Sequence, residues 1–261
     1  MAVSHHLALW SPDFPRCVVE QATGNAVIRA TLQWIKDTSV VTSATMLILL
    51  PPSEGKNEPS RTKKLNLKAL SFAGDLTTPR ERALAKHKSL DLNKCDIAAK
   101  VYSGVLYQAF NYASLSPAAK KRADKSILII SAAFGALRLI DSIPFYKFKI
   151  EPKLWRAPLA AALVGLDEEL VIDMRSSTYA TVWIPEPGNT VGIRIFTKVG
   201  GQKKVITHMS KKYRGEVARY LVSQSSNPKK PQELLALLNK EFSCSLFKPV
   251  GQKSWFIDLI V

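Results

Sequence analysis

Apolar and polar positions follow two regimes along the chain. Residues 1–45 show no clear period, and their pattern allows only a short helix over Ala26–Ile35. At Met46 a continuous apolar run, Met46-Leu47-Ile48-Leu49-Leu50, predicts a short buried strand that Pro51-Pro52 stops. Runs of the same kind recur at Ser126–Ser131 and Leu170–Met174. Between them, residues 51–71 are polar and basic and read as loop. Helices are predicted over residues 79–90, with Pro79 in the first turn, over Tyr102–Leu115 and over Leu159–Val164. Ala118–Lys125 reads as a basic turn or short helix. Further on the period changes to two: Thr190–Val199 and Lys203–His208 alternate on either side of Gly200-Gly201, a hairpin signal. Helices over Ser210–Ser223 and Pro231–Phe242 follow, and strands at Ser245–Phe247 and Trp255–Ile260 close the chain.

A fold that opens on a strand at an internal methionine marks residues 1–45 as a peripheral extension or a misplaced start, and residues 46–261 as the domain. Continuous apolar strands suit a parallel sheet, and the late alternation suits an antiparallel one. The expectation is one compact α/β domain, a mixed sheet flanked by helices with a C-terminal hairpin-helix portion.

Charge adds a direction. Lys plus Arg number 37 against 21 Asp plus Glu, a formal net charge of +16. In residues 1–45 Arg16, Arg29 and Lys36 cancel Asp13, Glu20 and Asp37, so the excess lies after Met46. A polyanion is the implied partner, nucleic acid being the usual one; runs such as Lys120-Lys121-Arg122 and Lys229-Lys230 are equally compatible with plain solvated faces. No run approaches the roughly 20 apolar residues of a membrane helix, and the first residues lack the pattern of a secretory signal. The three cysteines and four histidines are scattered without ligand spacing, so no metal or other cofactor is indicated and a reducing, cytoplasmic setting is expected.

Candidate chemistry concentrates where buried strands run into polar loops: Pro51–Lys56, Ala132–Arg138 and Arg175–Tyr179. If the three strands are parallel neighbours, these loops share one sheet edge, where α/β folds place ligands. Ser176 or Ser177 is placed to cap the next helix, whose amides would suit a phosphate, although Ser and Gly in such turns also serve geometry alone. Pro51-Pro52-Ser53-Glu54-Gly55-Lys56 is not a phosphate loop, since it lacks the second glycine and the spacing. On the helix from Ser210, Tyr213, Val217, Tyr220 and Leu221 form a core stripe. Lys211, Gly215, Ala218 and Val222 fall roughly opposite, with Arg214 at their margin. Glycine inside a helix costs about 1 kcal/mol relative to alanine, so this second face is expected to admit a phosphate backbone. No Ser-His-Asp or other catalytic constellation is readable.

These segments, in this order, resemble the YaaA peroxide-stress family over residues 46–261. The resemblance rests on the strand and Pro-Ser…Lys loop of Met46–Lys56 and on Val101-Tyr102-Ser103-Gly104. It continues through Ser131–Asp141, Pro144-Phe145-Tyr146-Lys147, Asp173–Tyr179 and the His208, Lys211, Arg214, Gly215 element. The chain departs from the family pattern at Ala132, Leu139 and Lys147, and between Tyr146 and Trp155 it is shorter. The resemblance implies a compact α/β domain with a role in peroxide tolerance, linked to limiting free iron and oxidative DNA damage. It also implies binding of double-stranded DNA in a basic cleft with a helix-hairpin-helix element, whose usual Leu-Pro-Gly turn this chain lacks. Lys56, Arg138, Lys211 and Arg214 are then the expected phosphate contacts. The rival reading is an enzyme acting on a nucleotide or nucleic-acid end. Its pocket would be built from Ser53, Arg175, Ser176, Tyr179 and His208, with Asp173 or Glu54 as acid or base.

Overall fold

The computed structural model describes residues 46–200, 202–205, 209–248, 250–251 and 253–261. The helix expected over Ala26–Ile35 and the candidate His208 lie outside these residues. The first strand, β1 (Leu47–Leu50), is buried along its whole length. Helix α1 (Ala73–Ala85) starts a turn and a half earlier than expected, which puts Pro79 inside it rather than in its first turn. The lost backbone donor is tolerated because Leu76, Pro79, Arg80 and Ala83 are buried together, and tertiary burial outweighs one missing helical bond.

After β2 (Asp96–Ile97) comes a single turn, α2 (Ala98–Val101), and the helix expected over Tyr102–Leu115 is reduced to α3 (Val105–Phe110) and a 3-10 turn at Tyr112–Ser114. The break has a cause: Ser103 N–H donates to the Gly55 carbonyl (3.1 Å) and Gly104 N–H to Ser53 Oγ (2.8 Å), which draws these residues out of the helix. Asn111, left-handed at φ 43°, ends α3. Ser116 caps α4 (Pro117–Ser126) by accepting from Ala119 N–H, and Pro117 occupies its first turn.

Strand β3 (Ile127–Ser131) is fully buried and turns at once into β4 (Gly135–Leu137), which pairs back antiparallel. Among the described residues, strand β5 (Ser142–Ile143) pairs with β2 alone. Helix α5 (Pro152–Ala162) begins a turn or more before the predicted segment, with Pro152 in its first turn. Then follow β6 (Val171–Asp173), the single turn α6 (Ser177–Ala180), β7 (Thr190–Val199) and β8 (Gln202–Val205). The chain ends with α7 (Ser210–Ser223), α8 (Pro231–Leu238), β9 (Ser243–Phe247) and β10 (Trp255–Ile260).

Among the described residues, eight strands form one mixed sheet in the order β4-β3-β1-β6-β7-β10-β9, with β8 on β7. β3, β1 and β6 are parallel neighbours, as are β6, β7 and β10, while β4, β8 and β9 pair antiparallel. The expected hairpin is therefore the β7–β8 pair. Leu47, Leu49, Leu128 and Ile130 face one core with Trp155 and Leu159; Ile48, Leu50, Ile127 and Ile129 face another with Phe110, Val217 and Leu221. Both faces of the central strands are covered, which is why their sequence runs apolar without alternation.

The second face of α7 is not open. Gly215, Ala218 and Val222 are buried, and a Cβ at Gly215 would lie 2.2 Å from the Leu106 carbonyl oxygen and 2.9 Å from Ala109 Cβ. Glycine there serves the close approach of α7 to α3, not a phosphate backbone. Helix α7 is buried on two sides, and only Lys211 and Arg214 at its start reach the surface described next.

Candidate functional site

The chain leaves β1 toward β3 on one side and leaves β6 toward β7 on the other, so the C-terminal ends of the neighbouring β1 and β6 flank a topological switch point. A cavity of about 670 Å³ opens there, within the range that small ligands occupy. Residues 51–56 after β1 form one wall, Gly104–Tyr107 a second, Tyr146–Lys149 a third, and Ser176, Tyr179, Lys211 and Arg214 complete it.

The first two walls are tied together. Lys56 bridges to Tyr102 in antiparallel fashion, and Tyr107 hydroxyl donates to the Pro51 carbonyl (2.8 Å). Ser53 is buried, and its Oγ is occupied by Gly104 N–H. A side chain at Gly104 would sit 2.3 Å from that oxygen, so the contact requires glycine. Ser53 thus shapes the loop through its oxygen.

The third wall is extended, with Tyr146 buried, Phe148 partly buried, and Lys147 and Lys149 exposed between and after them. Tyr146 hydroxyl hydrogen-bonds with Tyr102 hydroxyl (2.6 Å) and Ser131 Oγ (2.8 Å), a buried chain linking the end of β3 to the cavity. Burial raises the pKa of Tyr102, Tyr107 and Tyr146, so these hydroxyls stay protonated. Tyr179 is raised by burial and then by Glu54.

Lys56 Nζ lies 4.3 Å from the Tyr146 ring centroid and donates to the Ser53 carbonyl (2.5 Å). Burial lowers its pKa to about 8; Glu54 opposes the shift and Lys147 adds to it. Arg214 is half-buried; burial lowers its pKa, with Asp173 opposing, and its Nε makes no hydrogen bond among the described residues. Lys56, Lys147, Lys149, Lys211 and Arg214 thus line one cavity, and among the described residues none of them forms an ion pair. Glu54 is the one carboxylate among the described lining residues.

Of the expected site residues, Ser53, Lys56, Ser176, Tyr179, Lys211 and Arg214 meet here. Arg138 does not. The antiparallel return of β4 carries it to the opposite end of β3, where its guanidinium donates to the Lys125 (2.7 Å) and Ile127 (3.1 Å) carbonyls. Arg175 is buried and engages both oxygens of Asp173 (2.9 and 2.7 Å) and the Trp183 carbonyl (2.9 Å). That pair holds the loop after β6 and leaves Asp173 without an unoccupied oxygen, so Glu54 is the better placed of the two acids once offered as acid or base. The segment after Ser176 is a single helical turn with no side-chain cap, too short to present an anion site at its N-terminus.

Lys149, Tyr107 and Phe148 line the cavity without being among the residues expected from the sequence, where Lys147 stands only as a departure from a motif. The signal was present in Tyr146-Lys147-Phe148-Lys149, a period-two alternation of ring and cation that places the lysines on one side. Among the described residues, no group of three His, Cys, Asp or Glu is arranged to hold a metal ion, and no helix is long and apolar enough to cross a membrane.

Comparison with known proteins bears on the same residues. The family described as peroxide stress protein YaaA matches residues 46–245, a span that includes every described residue of the cavity wall. A UPF0246 protein of Streptomyces coelicolor is 33% identical over 259 residues, covering 83% of this chain and 98% of the relative. A UPF0246 protein of Corynebacterium efficiens is 35% identical over 217 residues, covering 68% of this chain and 85% of its own length. One from Corynebacterium glutamicum is 30% identical over 230 residues, covering 74% and 91%. The chain belongs to the peroxide stress protein YaaA family.

Proposed function

We propose that this protein protects the cell against peroxide by binding double-stranded DNA, and that one unpaired nucleotide, at a strand end or displaced from the helix, enters the cavity. The observation that carries this reading is the set of five lining cations without an ion-pairing carboxylate. Five cations brought together around one concave site concentrate positive potential there, which suits an anionic partner. The exposed Lys147, Lys149 and Lys211 suit flanking phosphates, and Arg214 suits a phosphate at the mouth. The rings of Tyr107, Tyr146 and Phe148 with Pro51 and Pro52 give an apolar lining of the kind that receives a base. Phosphate contacts of this sort give affinity with little sequence preference. Family membership supports the peroxide-stress role; limiting free iron and DNA damage is the physiological side of the proposal.

The cavity volume favours a second reading, an enzyme acting on a free nucleotide or nucleic-acid end, because 670 Å³ holds a nucleotide and not a duplex. Fluorescence anisotropy of the full chain with blunt, overhanging and bulged duplexes across a salt series separates the two. Binding that weakens steeply with salt and favours overhangs or bulges supports the first reading. Absence of binding at low salt, with thermal stabilisation by mononucleotides, supports the second.

A further inference from the structure

We propose that Lys56 is an amine nucleophile, forming an imine with an aldehyde on a phosphate-bearing ligand held in this cavity. The inference rests on the reading of the cavity as a phosphate-ligand site and assigns it a chemistry.

The geometry sets Lys56 apart from the other lining lysines. Its side chain is half-buried where Lys147, Lys149 and Lys211 are exposed. Its amine sits over the Tyr146 ring, whose position is fixed by the buried Tyr102–Tyr146–Ser131 chain. Among the described residues, its hydrogen bond to the Ser53 carbonyl is its only one, and no carboxylate lies within ion-pairing distance. Among the described residues, the Tyr146 and Tyr102 rings and one carbonyl are all that face a charge there, and a half-buried ammonium without a carboxylate is costly to keep. An amine that works neutral avoids that cost, and desolvated lysines beside another cation are the usual carbonyl-attacking kind. Its pKa of about 8 agrees, raising the neutral fraction near pH 7 on the order of a hundredfold over an ordinary lysine. The one donated hydrogen bond orients the amine through an N–H and leaves the lone pair for the ligand. Lys147, Lys149, Lys211 and Arg214 supply the complement to a phosphate on the same ligand.

The step balances without a further reagent. The Lys56 Nζ lone pair attacks the aldehyde carbon, the C=O π pair moves to oxygen, and a proton passes from nitrogen to that oxygen through water. The nitrogen lone pair of the resulting carbinolamine then forms C=N as hydroxide departs and takes a proton, so amine plus aldehyde give imine plus one water. Two sources carry the shared chemistry of an aldehyde with a phosphate: the opened sugar of an abasic site in DNA and a free sugar phosphate.

The test treats the full chain with sodium cyanoborohydride, which reduces the imine to a stable secondary amine, in the presence of one of three probes. These are a duplex with a single abasic site, glyceraldehyde 3-phosphate, and glyceraldehyde without phosphate. Intact mass and peptide mapping read the adduct. The expected result is one adduct per chain on Lys56, formed at least tenfold faster with a phosphorylated probe than with glyceraldehyde, and lost in Lys56→Arg and Lys56→Met. Mapping the unsubstituted chain locates the reactive amine even if neither variant folds. Adducts scattered over exposed lysines, or none on Lys56 with any probe, overturn the proposal. Anisotropy with the uncleaved duplex runs in parallel. DNA binding without an adduct sinks the amine and leaves the DNA reading standing; a Lys56 adduct with glyceraldehyde 3-phosphate and no duplex binding does the reverse.

Discussion

Two regions of this molecule set cations against aromatic rings, and they end in opposite electrostatic states. On the outer side of β7, β9 and β10, Arg194 lies over Phe256 (4.7 Å) and Phe247 (5.3 Å), and Lys203 over Phe247 (4.9 Å). Both are tied to Asp258, Arg194 at 2.6 Å and Lys203 at 3.0 Å, and that carboxylate is buried. In the cavity, Lys56 lies over Tyr146 at a similar distance, with four more cations around the same space and no paired acid among the described residues. The first cluster closes on itself: its cations serve an anion that the chain supplies. The second is left open, and an anion from outside completes it. Counting Lys and Arg, or noting rings beside them, does not separate the two; the presence of a buried carboxylate does.

The comparison breaks most readily at the cavity. Lys147→Glu combined with Lys211→Glu should weaken duplex binding by about a hundredfold or more at low salt, with little change in the urea midpoint, since both side chains are exposed and unpaired. A fall in stability equal to the fall in binding would make that surface structural. The opposite result is expected on the outer face. Asp258→Asn should cost about 2 kcal/mol of unfolding free energy, read by urea denaturation, because it strips the shared partner from two cations that are themselves only partly buried.

A third experiment isolates Lys56. Its pKa is held at about 8 by burial, with Glu54 raising it and Lys147 lowering it, and with the rings of Tyr102 and Tyr146 facing it. Below that pH the charged form opposes folding. Between about 8 and the ordinary lysine value the unfolded chain holds more protons, so this group makes stability rise with pH across that window. Lys56→Met should therefore flatten the rise and stabilise the protein at pH 7 by about 1 kcal/mol, allowing for solvent screening of a half-buried group. The rate of imine trapping on the unsubstituted chain should climb through the same pH near 8 and level off above it. A flat rate would mean that a different amine reacts. The smallest effect sharpens the contrast: Arg194→Gln should change DNA affinity by less than about threefold, because its charge is already spent on Asp258.

Much of the frame was legible because it is local. Leu47–Leu50, Ile127–Ser131 and Val171–Asp173 run apolar without a break, which only strands covered on both faces do, and they are the parallel neighbours expected. The helices beginning at Ser210 and Pro231 began where their patterns said. Failures fell where a distant partner overrode the local signal. Tyr102–Leu115 has helical composition, yet Ser53 and Gly55 take the backbone donors of Gly104 and Ser103 and break it. Gly215 read as room for a phosphate, and the room is filled by the backbone of α3. Arg138 follows a buried strand as a ligand-bearing loop residue would, but three antiparallel residues carry it to the far end of the sheet. Arg80, in a basic helical stretch, is fully buried and donates to the Phe134, Ser71 and Ala136 carbonyls, a role no periodicity announces.

The sequence by itself determined the α/β class, the strands whose ends carry the loops, and the excess of positive charge beyond Met46. Each of these depends on neighbours a few residues apart or on a sum over the chain, and a linear pattern carries both. Which cations share a cavity, which are neutralised, and which amine is pushed toward neutrality were decided by the tertiary structure alone. Residues 51–56, 146–149 and 211–214 are far apart in the chain, and Coulomb and desolvation energies depend on distance and burial, quantities that exist only once the sheet has brought those segments together.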